Sequence, residues 1–156
     1  MAGTFETRLA ALGITLPAAA APAGNYVPFV VSGNTVFLSG QLPFKDGTLT
    51  TLGHLGDTVS IEDGYQAARL CAINLIAQIK AAAGGDLDRV ARIVRLGGFV
   101  AGTAAFTDQP KVLNGASDLM VEVFGDIGRH ARVAVGAPAL PLNAAVEVDA
   151  IVELSE

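Results

Sequence analysis

Only two stretches of this chain carry a sustained helical period, and that ratio of helix to strand decides most of what it can fold into. The longer opens at Ser60, which with Asp63 has the spacing of a capping box. Tyr65, Ala68, Leu70, Cys71, Ile73, Leu75, Ile76 and Ile79 then make a broad apolar stripe, ended by Gly84-Gly85. The second runs from Pro110 to Phe124 with Leu113, Leu119, Met120 and Val123 inward, closed by Gly125. A shorter amphipathic helix is expected over Phe5 to Leu12, with Thr4 as its cap and Gly13 as its stop. The remaining patterned segments read as strands. Tyr26–Val31 and Thr35–Leu38 flank Ser32-Gly33-Asn34 as a hairpin, and a short piece, Thr48–Leu52, follows the Lys45-Asp46-Gly47 turn. Gly53–Thr58 reads as loop, and Val90–Val100, Arg132–Ala137 and Ala145–Val152 complete the set. The order is ββ(β)-α-β-α-ββ after an N-terminal helix. Two main helices cover one face of a sheet, so the fold class is α+β with both on one face. The other face has to be buried in another way, and packing against copies of the same chain is the simplest.

The 156 residues suit one domain, with residues 1–23 as a short helix and an Ala/Pro linker (Leu16 to Gly24) ahead of the main body, 24–156. Half the chain is apolar and 16% is charged, which supplies a core but leaves few charges to cover a surface. That balance favours an oligomer over a monomer with large apolar patches. The net charge of -5, with no run of Lys or Arg, argues against binding a phosphate backbone non-specifically. One cysteine, Cys71, cannot form an internal disulfide; set between Leu70 and Ile73's neighbourhood it reads as a small buried hydrophobe in a reducing compartment. No run of about eighteen apolar residues is present to span a membrane. The N-terminal stretch carries Arg8 beside Glu6 and a broken Ala/Pro run from Ala18 to Ala23, not a signal peptide. A cytoplasmic protein is expected.

Few residues suggest chemistry on pattern alone. His54, His130 and Cys71 are too scattered for a metal site, and no cofactor is expected. Gly84-Gly85 and Gly97-Gly98 lack the spacing and lysine of a phosphate loop. Ser39-Gly40-Gln41 has no evident histidine partner for a nucleophile. The last two strands are more informative. If they form an antiparallel hairpin around Pro138-Ala139-Leu140-Pro141, Arg132 lies opposite Glu147 and both point to one face. On the second strand Val146, Val148, Ala150 and Val152 form the apolar side. A solvated cross-strand ion pair, worth well under about 1 kcal/mol, is the plain reading of that pair. The plain readings elsewhere are core or interface for Tyr26, a loop contact for Asn114 and a rim position for His130.

Two blocks change those odds. Arg132-Val133-Ala134-Val135-Gly136-Ala137-Pro138-Ala139-Leu140-Pro141, followed by Ala145-Val146-Glu147-Val148-Asp149-Ala150-Ile151, resembles the signature of the Rid (YjgF-like) family. There an arginine opens a strand, a Leu-Pro follows, and then a V-E-[IV]-[ED]-A-[IV] strand. Gly24-Asn25-Tyr26 through Gly33-Asn34-Thr35-Val36-Phe37-Leu38-Ser39-Gly40-Gln41-Leu42-Pro43 is similar to the family's N-terminal block. The likeness covers about residues 24 to 154; the extra N-terminal helix and the run Gly115–Arg132 look like a longer branch. Val133 and Ala134 stand where the family has a small polar residue and often a cysteine, and Pro28 where it commonly has glutamine.

The resemblance implies a chorismate-mutase-like fold assembled as a homotrimer, with a cleft at each subunit interface. It implies hydrolytic deamination of small 2-imino or 2-enamino acids. On this reading Arg132 grips the substrate carboxylate, and Glu147 handles the attacking water and the departing ammonia. Tyr26 closes the pocket across the interface, backbone groups at Gly40 and Ala134 contact imine or carboxylate, and Asn114 lines the cleft. The alternatives are a non-catalytic trimer that binds small carboxylates or partner proteins, and an endoribonuclease, a name some members carry. The acidic balance and the lack of basic or stacking patches weigh against the last.

Overall fold

The long helix starts where its capping signal predicts. Ser60 Oγ accepts the Asp63 backbone N–H at 3.1 Å, and the helix runs over Ile61–Ala82 before Gly84 turns the chain at φ +70°. In this computed structural model, which describes residues 3–21 and 24–156, it is the second of three α-helices. The elements are α1 (Thr4–Ala11), β1 (Phe29–Ser32), β2 (Thr35–Gln41), β3 (Phe44–Lys45), β4 (Thr48–Leu49), α2 (Ile61–Ala82), β5 (Val90–Ala101), α3 (Gln109–Phe124), β6 (Ala131–Ala137) and β7 (Val146–Leu154). No helix among the described residues is long and apolar enough to cross a membrane.

Five strands form one sheet in the order β1-β2-β7-β5-β6, and β3 with β4 makes a separate ribbon. Helices α2 and α3 cover one face, and the core lies between. β7 alternates as its sequence predicts: Val146, Val148, Ala150, Val152 and Leu154 are buried under the helices. No helix among the described residues covers the opposite face. Val30, Phe37 (48% exposed), Val133 and Val135 lie open on it, around a charged strip in which Arg95 meets Asp149 at 3.6 Å.

Two glycines let α3 sit as deep as it does. A Cβ at Gly115 would run into the Tyr65 backbone carbonyl on α2, and one at Gly98 would run into the Leu113 side chain. Gly98 belongs to the Gly-Gly pair in the middle of β5, whose other member, Gly97, leaves room for the Asp149 carboxylate on the open face. Glycine inside a strand here marks close approach from both sides, not a phosphate loop.

The expected β6–β7 hairpin does not form. β6 runs parallel to β5, reached by the crossover through α3, whereas β7 runs antiparallel to β5 on its other edge. The link 138–145 is long enough, with its turn at Pro141–Asn143, to carry the chain over the end of β5 instead of folding back. Arg132 therefore stands in register with Leu96 and Ala150 and faces the helices, while Glu147 stands in register with Phe99 and faces away. They are on opposite faces, two strands apart, and form no pair.

Smaller departures have local causes. Gly3, not Thr4, is the N-cap of α1, and the first free N–H groups of that helix, on Thr4 and Phe5, donate to the distant Asp88 carboxylate at 2.9 and 3.2 Å. The third strand expected at Thr48–Leu52 stops at Leu49. Tyr26 precedes β1 instead of lying in it. The stretch ahead of it is packed rather than loose where described: Ile14 and Leu16 touch the core and Gln78 Nε2 donates to Ala20 O at 2.9 Å, while Pro22 and Ala23 of the expected linker lie outside the described residues.

Replacing Gly115 with alanine should destabilise the protein by about 3 kcal/mol, because pushing two helix backbones apart outweighs the roughly 1 kcal/mol that alanine gains in helix propensity. Urea unfolding checks this: an unchanged midpoint would mean that α2 and α3 do not approach so closely.

Candidate functional site

The residues singled out from the sequence fall into two groups. Tyr26, Gly40 and Glu147 meet around a cavity of about 430 Å³, which Pro28, Ser39, Gln41 and Leu142 also line. Its position follows from an irregularity in β2. Leu38 is opposite Ala150, yet Gln41 rather than Gly40 is opposite Val148, so Ser39-Gly40 bulges beside Glu147. A Cβ on Gly40 would overlap the Glu147 carboxylate, so a larger residue there would displace that side chain. Ser39 Oγ donates to Val27 O at 2.8 Å and its backbone N–H to Pro28 O at 2.9 Å, which ties down the segment carrying Tyr26. That commits the serine to a structural task. Tyr26 itself is 56% exposed at the mouth.

Glu147 has no ion-pair partner among the described residues. It is half-buried, and that burial, with the nearby Asp149 charge, raises its pKa above the ordinary carboxyl value. Asp149 is raised too, by burial, with Arg95 and the Gly97 N–H acting in the opposite direction.

The second group gathers at the start of β6 against α3. Arg132 Nη1 donates to Asn114 Oδ1 at 2.9 Å and to Ser117 Oγ at 3.1 Å. Ala134 follows two residues on, opposite Gly98. No carboxylate lies within ion-pair distance of Arg132 among the described residues. A shallow cavity of about 300 Å³ opens beside it, lined by Ser117, Asp118, Val121, Arg129, His130 and Arg132.

A family model described as "YjgF/chorismate mutase-like, putative endoribonuclease" matches residues 6–154. The chain belongs to this family. Its chorismate-mutase-like fold agrees with the resemblance read in the sequence, and its short N-terminal helix with the apolar spacing of Phe5, Leu9 and Leu12. Protein TCP17 of Trypanosoma cruzi is 53% identical, over 98% of this chain and 96% of its own. Agrobacterium tumefaciens protein Atu1372 superposes with a TM-score of 0.92 at 50% identity, covering 97% of this chain and 93% of its own. A Shewanella oneidensis protein carrying the same endoribonuclease label gives 0.94 at 42% identity, covering 97% and 100%. Further off, Escherichia coli TdcF, solved with bound serine, gives 0.63 at 25% identity, over 88% of this chain and 94% of its own.

Three features escaped the sequence. Ser117 and His130 both touch the Arg132 cluster, but they lie 13 residues apart with no local spacing to link them. His130 had only the plain reading of a rim position. Leu142, 70% exposed at the cavity mouth, holds φ +58°, a left-handed conformation costly for a branched apolar side chain. The proline before it was the only hint.

The raised pKa of Glu147 has a testable sign. Folding favours its protonated form, so its contribution to stability is full below the ordinary value of 4.5 and is lost as the pH rises through the folded-state value. Glu147→Gln should therefore raise stability slightly at pH 7 and leave it unchanged near pH 4. Thermal melts at the two pH values read this directly; destabilisation at pH 7 would mean the carboxylate has a stabilising partner.

Proposed function

We propose that this chain is a hydrolytic deaminase of small reactive 2-imino and 2-enamino acids. It works as a homotrimer, in clefts where the Arg132 group of one subunit meets the Glu147 group of the next. The observation that carries this reading is the division of the site. Among the described residues, a guanidinium without a carboxylate partner lies on one face of the sheet and an unpaired half-buried carboxyl on the other, where exposed apolar side chains flank a charged strip. Each group lacks what the other offers, and heterologous contacts that close a ring bring them together three times.

The chemistry follows from those parts. Arg132 holds the substrate carboxylate with its planar fork, which a lysine does not reproduce. Water adds to the imine carbon while the C=N pair moves onto nitrogen and takes up a proton. Glu147 takes one proton from the water as its oxygen adds and passes it to that nitrogen; it then takes the hydroxyl's proton and delivers it to the nitrogen as the C–N bond breaks, leaving a 2-oxo acid and ammonia. Tyr26 closes the cleft, backbone groups at Gly40 and Ala134 contact imine or carboxylate, and Asn114 steadies Arg132. The serine bound to TdcF is a small amino acid with a carboxylate, which supports ligands of this class. A cytoplasmic location goes with this reading, since Cys71 is a buried free thiol. The endoribonuclease label fits less well: net charge -5 offers no counterion release on RNA.

With 2-iminopropionate generated in situ, Arg132→Lys should lose about ten- to a hundred-fold in rate, and Glu147→Gln about 10²–10⁴-fold with carboxylate binding nearly intact. Turnover equal to wild type in Arg132→Lys defeats the deaminase reading; ligand binding without turnover in the wild type favours a carboxylate-binding trimer instead. Sedimentation equilibrium should give about three times the 15.9 kDa chain mass, and a stable monomer would contradict the shared cleft.

A further inference from the structure

Arg132 and His130 both reach Ser117 on α3, and the polarity of that contact is fixed by its ends. The Gly128 carbonyl only accepts, so His130 Nδ1, 2.6 Å away, carries the ring hydrogen. A neutral imidazole then offers Nε2 as acceptor, and Ser117 Oγ, at 2.8 Å, donates to it. The lone pairs of the hydroxyl are turned toward Arg132 Nη1, which can only donate, 3.1 Å off. The other Nη1 hydrogen goes to Asn114 Oδ1. Both hydrogens of Nη1 are thus used inside the protein. The Nε–Nη2 edge of the guanidinium has no acceptor among the described residues.

We propose that Ser117 and His130 are positioning residues that hold Arg132 for side-on, two-point binding of a carboxylate through Nε and Nη2, and that this binding is linked to proton uptake at His130. The inference rests on the reading of Arg132 as the carboxylate-binding residue.

The charges around His130 set the sign. Arg132 and Arg129 stand on its own segment; Asp126 pairs with Arg129 at 3.5 Å. From α3 comes Asp118, whose carboxylate is bonded to the Tyr65 hydroxyl at 2.7 Å. From β5 comes Arg95, the register partner of Ala131, itself paired with Asp149. Partial burial lowers the pKa of His130 and Arg132 lowers it further, against the opposing pull of the Gly128 bond. A carboxylate on Arg132 offsets the guanidinium charge, so the imidazole takes a proton more readily. By reciprocity the protonated ring strengthens carboxylate binding. Once Nε2 carries a hydrogen, Ser117 Oγ accepts from both neighbours and turns its own hydrogen toward the ligand.

Imidazole ¹⁵N NMR of the whole protein, with pyruvate as probe, tests this. The chain has two histidines, and His54 Nε2 lies 2.7 Å from Pro138 O and so carries the hydrogen itself, the reverse of His130, which distinguishes the two by tautomer. His130 should be the Nδ1–H tautomer, and saturating pyruvate should raise its titration midpoint by about half a unit to one unit. Pyruvate should accordingly bind about three- to tenfold tighter below that midpoint than above it. His130→Gln, which keeps a donor and an acceptor, should retain the high-pH affinity and lose this gain. Ser117→Ala should weaken binding and uncouple His130 from pyruvate, and Ser117→Thr should restore both. An Nε2–H tautomer, or a midpoint indifferent to pyruvate that binds through Arg132, overturns the inference and leaves the carboxylate-binding reading intact. Absence of any Arg132-dependent pyruvate binding overturns both.

Discussion

The approach of α3 to its neighbours is the constraint on which the rest depends. Gly115 lets it meet α2 backbone to backbone, and Gly98 lets Leu113 settle onto β5. One turn of that helix carries both Asn114 and Ser117, so its depth decides where the two acceptors for Arg132 stand. A helix held a few ångströms further out would leave Arg132 as a loose surface cation. Packing and site are the same feature seen from two sides.

A second constraint is what the helices leave uncovered. With α2 and α3 on one face, the other shows Val30, Phe37, Val133 and Val135 to its surroundings. Those apolar side chains flank the Arg95–Asp149 strip on a chain with few other charges to dilute them. Glu147 and Tyr26 border this open side at the β2 bulge, whereas Arg132 sits at the β6 edge on the helix side. In the proposed trimer, burying the open face and completing the site are one event, which ties stability to function.

Much of this was legible locally. The Ser60 cap, the stripe of α2, the inward residues of α3 and the alternation of β7 all held, because each depends on neighbours a few residues apart. The pairing of β6 did not, since strand partners are chosen by the whole sheet. The clue present but unused was the order strand, helix, strand from β5 through α3 to β6, which suits a parallel crossover better than a hairpin two strands later. The site residues came as a set from the resemblance, while their split across the sheet was invisible without topology. His130 and Ser117 were beyond reach for the same reason: only the fold brings a mid-helix serine against the residue before a strand.

The central claim is that one working site takes Arg132 and Glu147 from different subunits. The most direct measurement mixes two inactive variants, Arg132→Ala and Glu147→Gln, by co-refolding, and assays imine hydrolysis. In a ring with heterologous contacts, each mixed trimer contains one interface with both residues intact, so random assembly should recover about a quarter of wild-type activity. Activity no greater than that of the separate variants, in trimers shown to be mixed, would contradict the account.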